Sequence, residues 1–302
     1  MVSDLAKAIY QARTAPVSSE HFTVRVGVHV SIAKSFDNAI DTAVAEKCDT
    51  FQVFTRNPRG WKFSDLDPDE VKSFREKLEK SSLGPVVDHM PYLPNLSCPE
   101  DELYKKSVDT LVAEVDRCVE LGIPYLVTHL GSHLGMGREI GLKRISNALN
   151  QATKHAKGEF QICLENMAGT SNSMGSKFEE VREIFDSVKQ KERVAICLDT
   201  CHAYAAGYDL HVEKAVDRTL TKFDDIVGFE NLKVVHLNDS EDGLGSGHDR
   251  HQHIGLGYIG TTGFKAILHH EAIRDQPLIL ETPIDERRGN AGNLEAVRKL
   301  AR

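Results

Sequence analysis

Eight short apolar runs rich in β-branched residues recur along the chain, at residues 26–30, 50–54, 85–89, 125–129, 160–165, 194–199, 232–236 and 277–281. Continuous apolar runs of this length suit strands buried on both faces, as in a parallel sheet. Helix-like stretches separate them, at 35–47, 68–80, 100–121, 139–155, 177–190, 217–229, 262–274 and 293–301. In the first, Phe36, Ile40, Ala43 and Val44 share one face. The second has Asp67 as a candidate cap with Pro68 in its first turn, and the third stops at Gly122, a helix-ending residue. Eight strands alternating with eight helices predict a single (β/α)8 barrel of the TIM type over residues 25–302. An open, doubly wound sheet has the same count of elements. Residues 1–24 form an N-terminal extension of unassigned role.

In a barrel, chemistry gathers where the strands end at the C-terminal rim. Six of the eight runs end on a metal-ligand side chain: His89, His129, Glu165, Asp199, His236 and Glu281. A buried strand has no reason of its own to end on His, Asp or Glu so often. His29, inside the first run, reads as an ordinary core histidine or a support for a ligand. Two clusters follow in the loops. Asp199 and His202 lie three residues apart after the sixth run. Asp249 and His251 lie in the Gly-rich segment 243–260, on one side of an extended stretch.

The full set is five histidines and four carboxylates: His89, His129, His202, His236, His251, Glu165, Asp199, Asp249 and Glu281. That exceeds what one ion takes, since zinc typically has about four ligands. It fits two or three ions sharing bridging carboxylates. Imidazole and carboxylate suit zinc, and also admit manganese or iron. With three divalent ions against four carboxylates the filled site carries about +2. A chain of formal net charge −8 would thus hold a positive pocket for an anion, with phosphate the natural candidate.

The same acidic balance argues against binding nucleic acid through a broad basic face, though not through a local positive centre. No apolar run approaches the length of a membrane span, so no membrane association is expected. The first 20 residues carry Asp4 and Glu20 without an apolar core, unlike a secretory signal. Cysteines at 48, 98, 118, 163, 197 and 201 contain no Cys-x-x-Cys pair. They read as reduced thiols of an intracellular protein, cytoplasmic, or nuclear in a eukaryote.

From about Val26 to about Pro283 the chain resembles the endonuclease IV family of metal-dependent abasic-site endonucleases. The matching segments are 27–31 (GVHVS), 54–61 (FTRNPRGW), 89–93 (HMPYL), 129–133 (HLGSH), 164–169 (LENMAG), 198–203 (LDTCHA), 206–209 (AGYD), 236–240 (HLNDS), 249–251 (DRH) and 280–283 (LETP). Each is weak alone, and ten in order are specific. Leu130 stands where the family usually has proline, and Leu256 where a charged residue is common.

The resemblance implies a barrel with a trinuclear zinc centre. Glu165 would bridge two ions, His89 and His129 completing the first and Asp199, His236 and Glu281 the second. His202, Asp249 and His251 would hold the third. It also implies that Arg59, Tyr92 and Leu93 enter duplex DNA where a base is missing. His133, at the rim of the fourth strand, is a candidate phosphate contact. An aromatic ring, an aliphatic wedge and an arginine are suited to filling a gap in a base stack. The implied reaction is hydrolysis of the phosphodiester 5′ to an abasic site by a monomer, with Glu165 acting on the attacking water and trimming of blocked 3′ ends as related chemistry. Rival readings are a sugar isomerase or epimerase, which needs about four of these ligands, an amidohydrolase, and a non-enzymatic binding barrel.

Overall fold

The computed structural model describes residues 24–155 and 157–302. The extension assigned to residues 1–24 therefore lies, apart from Val24, outside the described residues. Strands β1 (Arg25–Val28), β2 (Phe51–Val53), β3 (Val86–His89), β4 (Tyr125–Thr128), β5 (Gln161–Glu165), β6 (Val194–Asp199), β7 (Leu232–His236) and β10 (Pro277–Leu280) form one parallel sheet. Its order is β1-β10-β7-β6-β5-β4-β3-β2. The ring closes at a seam: His29 and Gln52 form a parallel bridge, and the Val30 amide donates to Gln52 O at 2.8 Å. This closure separates a barrel from the open sheet. Gly27 permits the seam, since a Cβ there would stand 1.6 Å from Thr50 O.

The outer ring contains α1 (Phe36–Ala45), α2 (Pro68–Lys80), α3 (Asp101–Leu121), α4 (Arg138–His155), α5 (Phe178–Ser187), α7 (Glu213–Ile226), α8 (Gly260–His269) and α10 (Asn290–Leu300). Local chemistry sets several ends. Asp67 accepts the amide of Asp69 at 2.8 Å at the start of α2, with Pro68 in its first turn. Gly122 ends α3 in the left-handed region at φ 72°. The 262–274 stretch divides into α8 and the short α9 (Glu271–Arg274) at His270. No described helix is long and apolar enough to cross a membrane.

The strands' alternation divides the core in two. Val87, Tyr125, Val127, Cys163, Ala195, Cys197, Val234 and Ile279 pack together inside the barrel. Their neighbours Val86, Leu126, Ile162, Leu164, Ile196, Leu198, Val235, Leu278 and Leu280 belong to the layer shared with the helices. Side chains two residues apart share a face. Each strand-end residue named above therefore stands on the inward face, one step above this inner plug. In β7 a register shift brings Val234 opposite Cys197 and His236 opposite Asp199.

Candidate metal centre

The inward alternation converges the strand ends on one cavity of about 350 Å³. Its wall includes His29, His89, Tyr92, His129, His202, Asp249, His251 and Glu281. Three groups of side chains gather there, each bringing ligand atoms within 4.8 Å of one another: His89, His129 and Glu165; Glu165, Asp199, His236 and Glu281; and His202, Asp249 and His251. They gather the same side chains that the family resemblance groups. Two further groupings overlap these, His89 with His236 and Glu281, and Asp199 with Cys201 and His251. Burial pushes the Cys201 thiol up to about 12, which disfavours the thiolate a metal would need.

Glu165 stands at the junction, fully buried. Its Oε2 lies 3.4 Å from His89 Nε2 and 3.2 Å from His129 Nε2. Its Oε1 lies 3.1 Å from His236 Nδ1. One oxygen thus faces the first group and the other faces the second, the arrangement of a bridging carboxylate. His236 Nδ1 is also 3.2 Å from Glu281 Oε2, and His202 Nε2 is 3.0 Å from Asp249 Oδ1.

The outward edges of four rings show that this cluster is built for cations. His89 Nδ1 donates to Met90 O at 2.7 Å, His202 Nδ1 to Asn166 O at 2.9 Å, and His251 Nδ1 to Glu281 O at 3.2 Å. His236 Nε2 donates to Gln52 Oε1 at 2.8 Å. Each acceptor is a carbonyl oxygen, so each outward nitrogen carries a proton and the inward nitrogen is the one left for a metal to take. That is how protein-bound metals hold imidazoles. Buried Glu165 Oε2, His202 Nε2 and His251 Nε2 have no partner in hydrogen-bonding geometry. Orphaned buried acceptors are costly, and a shared divalent ion satisfies them. The donor set therefore fits metal ions of the zinc class.

Without an ion the groups perturb one another. Burial raises the cost of ionising Glu165, but His236 and His129 outweigh it and hold the carboxyl well below the ordinary range. Glu281 is likewise drawn down to about 2 against its burial by His236 and His89. Burial opposes charge on His202, yet Asp199, Asp249 and Glu165 raise it well above an ordinary histidine. Glu165 does the same for His129.

Local structure delivers the remaining candidate ligands in ways the sequence did not foretell. Asp199 caps a short helix, α6 (Thr200–Ala205), by accepting the His202 amide at 2.7 Å. The turn of that helix, not a loop, brings His202 beside Asp199. His251 begins a two-residue strand, β9 (His251–Gln252), antiparallel to β8 (Asp239–Ser240). The loop beyond β9 is tied to Asp239. Its Oδ1 accepts the amides of Ser240 and Ile259 at 2.8 and 2.9 Å, and its Oδ2 those of Gly255 and Gly257 at 3.0 Å each. Asn238 Nδ2 donates to Asp199 Oδ2 at 2.8 Å while its Oδ1 accepts the Glu281 amide at 2.8 Å. The signal that could have found these supports is a polar residue at an otherwise apolar position, such as Gln52 within 50–54.

Of the residues expected to touch DNA, Tyr92 lines the cavity, its ring 5.1 Å from Phe54. Leu93 and Arg59 are exposed nearby, and the Tyr92 amide donates to Pro58 O at 3.0 Å, joining their two loops. Arg117 secures the Arg59 loop from below through Thr55 Oγ1 at 3.0 Å and Ser64 O at 2.9 Å. His133 is outside the cavity wall, in the loop after β4, with its Nδ1 accepting the Gly137 amide at 3.2 Å.

The chain matches the family described as Xylose isomerase-like TIM barrel over residues 40–302. It is 54% identical to "Probable endonuclease 4" of Methanoculleus marisnigri, over 92% of this chain and 99% of that one. It is 48% identical to "Probable endonuclease 4" of Nitrosopumilus maritimus, over 92% and 100%. The solved structure of endonuclease IV from Thermus thermophilus superposes with a TM-score of 0.81 at 38% identity, covering 91% of this chain and 98% of that one. A D-tagatose 3-epimerase-like protein shares the fold alone, with a TM-score of 0.69 at 19% identity over 91% and 96%. With its ligand groups standing at the rim of that barrel, the chain belongs to the endonuclease IV family.

Proposed function

We propose that this chain is a metal-dependent DNA-repair endonuclease that hydrolyses the phosphodiester 5′ to an abasic site in duplex DNA, leaving a 3′-hydroxyl and a 5′-deoxyribose phosphate. The observation that carries this reading is the junction at Glu165, where one carboxylate oxygen lies beside the His89 and His129 imidazole nitrogens and the other beside that of His236. The high identity to chains named endonuclease 4 supports it.

His89, His129 and Glu165 would hold one ion, Glu165, Asp199, His236 and Glu281 a second, and His202, Asp249 and His251 a third, with zinc favoured by the donor set and manganese or iron admitted. When bound, the ions supply Lewis acidity and an activated water for in-line displacement at phosphorus. The chain's own residues do the rest. Glu165 orients the attacking water and accepts its proton. Tyr92, Leu93 and Arg59 fill the gap left by the missing base, and His133 takes a neighbouring phosphate. A baseless sugar has no stacking to lose, so admitting it to the cavity costs less than flipping a paired base. The same site would trim blocked 3′ ends. The chain acts as a monomer, and its six free, buried thiols suit a reducing interior, cytoplasmic or nuclear.

The test is incision of a labelled duplex carrying one tetrahydrofuran abasic analogue, beside intact duplex and the Glu165→Gln variant. The analogue cannot undergo β-elimination, so a nick reports hydrolysis. Incision 5′ to the analogue, at least about 100-fold weaker in the variant, is the expected outcome. Absence of incision by protein carrying three ions would overturn the reading and favour sugar isomerisation, the chemistry of fold relatives that need fewer ligands.

A further inference from the structure

Six strands end inward on ligand-type residues. The two that do not, β1 and β2, meet at the seam and place His29 and Gln52 on the same inward face, between neighbours that belong to the outer layer. Gln52 is fully buried and spends its whole amide here. Its Oε1 accepts from His236 Nε2 at 2.8 Å, and its Nε2 donates to Glu281 Oε1 at 2.7 Å and to His29 Nδ1 at 3.1 Å. The orientation is not free. Turning the amide over would set its oxygen against the Glu281 carboxylate and its N–H groups against the His236 N–H.

We propose that Gln52 is a positioning residue that fixes His236 and Glu281 as ligands and, through the same amide, holds His29 as a neutral imidazole whose Nε2–H is offered to a phosphodiester oxygen in the cavity. Glu281 Oε1 can only accept, so the Gln52 nitrogen faces it and the Gln52 oxygen faces His236 Nε2, which therefore carries a proton. The same amide nitrogen faces His29. An N–H facing His29 Nδ1 requires that nitrogen to be bare, so the His29 proton is on Nε2. The ring packs on Phe54, centroids 4.3 Å apart, and lines the cavity alongside Tyr92. A neutral donor at this wall orients phosphate without adding a charge that would repel the neighbouring cations.

The inference rests on the abasic-site reading for its substrate, but its primary readouts do not. Ring-15N histidine spectra of the metal-loaded protein are expected to show His29, identified by signal loss in His29→Phe, as the neutral Nε2–H tautomer. Gln52→Glu is expected to lower bound metal by one ion per chain and to move His29 to the Nδ1–H form. Gln52→Met, which removes the amide without adding charge, should lose the same ion. His29→Phe should keep its full metal content while kcat on the abasic duplex falls about 10- to 100-fold, and His29→Gln, which restores an N–H, should recover part of the loss. A charged or Nδ1–H His29 in the wild type would overturn the proposal, and so would full metal retention in both Gln52 variants or metal loss in His29→Phe. Failure of the wild-type chain to incise would sink the abasic-site reading and leave the spectra and metal counts to judge Gln52.

Discussion

The Gly257 amide donates to Asp239 Oδ2 at 3.0 Å, and this contact leaves no room for a side chain: a Cβ on Gly257 would lie 2.6 Å from Asp239 Oδ1 and 2.3 Å from Ser240 O. Asp239 and Gly257 together anchor the turn at 255–259, which directly follows the segment that carries Asp249 and His251. Gly257→Ala and Asp239→Ala are both expected to release it. Each variant should lose the ion of the His202–Asp249–His251 group, with at least a tenfold fall in activity and about 2 kcal/mol or more of stability, since several hydrogen bonds to a carboxylate go at once. Metal analysis by mass spectrometry and denaturant unfolding check it. Full metal content in both variants would show that the loop is held by something else.

The metal-free chain should have an unusual pH optimum for stability. Glu281 falls from the ordinary 4.5 to about 2 on folding, so its contribution is present above pH 4.5 and is lost as pH falls toward 2. Glu165 shifts the same way. His129 and His202 are raised above 6.5, so their contribution is complete below pH 6.5 and is lost as pH rises through their folded values. The chelated protein is therefore expected to melt highest between pH 4.5 and 6.5. The metal-loaded protein should reverse the upper limb, because protons and metal compete for the same imidazole lone pairs. A chelated protein whose Tm climbs steadily from pH 6 to 8 would contradict this.

Chelation itself should leave the barrel standing. The inner plug does not depend on the ligand-type residues, and several of these lie within ion-pair distance of one another when no cation is bound. Far-UV circular dichroism at 25 °C should be unchanged while Tm drops. Restoring zinc at about a thousand times its dissociation constant should return about 4 kcal/mol.

Tyr92 and Leu93 should govern DNA affinity rather than chemistry. Neither stands in the three ligand groups, and Tyr92 is exposed at the cavity mouth. Tyr92→Ala is expected to raise KM for the abasic duplex by about 5- to 100-fold, the worth of one stacking contact, with metal content unchanged. A fall confined to kcat would place the ring in the chemical step instead.

The candidate ligands at the strand ends were legible because a two-residue period leaves only one face for the cavity. Once Val87, Cys163 and Ile279 point inward, His89, Glu165 and Glu281 must follow. Barrel closure was not legible, since it depends on the His29–Gln52 bridge between strands whose pairing no local pattern reveals. Helix α6 escaped notice because six residues are too few to show a helical period. The role of Asp239 was hidden for a different reason. Its partners, Gly255, Gly257 and Ile259, are known only when the loop has folded back upon it.

The seam between β1 and β2 also sets an order of assembly. β1 pairs along its whole length with β10, so the ring stays open until the last strand is made. His89, His129 and Glu165 come from three consecutive neighbours, β3, β4 and β5, and can meet while the chain is still growing. Glu281 follows β10 and arrives last. A chain synthesised from its N-terminus therefore completes one group of ligands early, and the group containing Glu281 only as the barrel shuts.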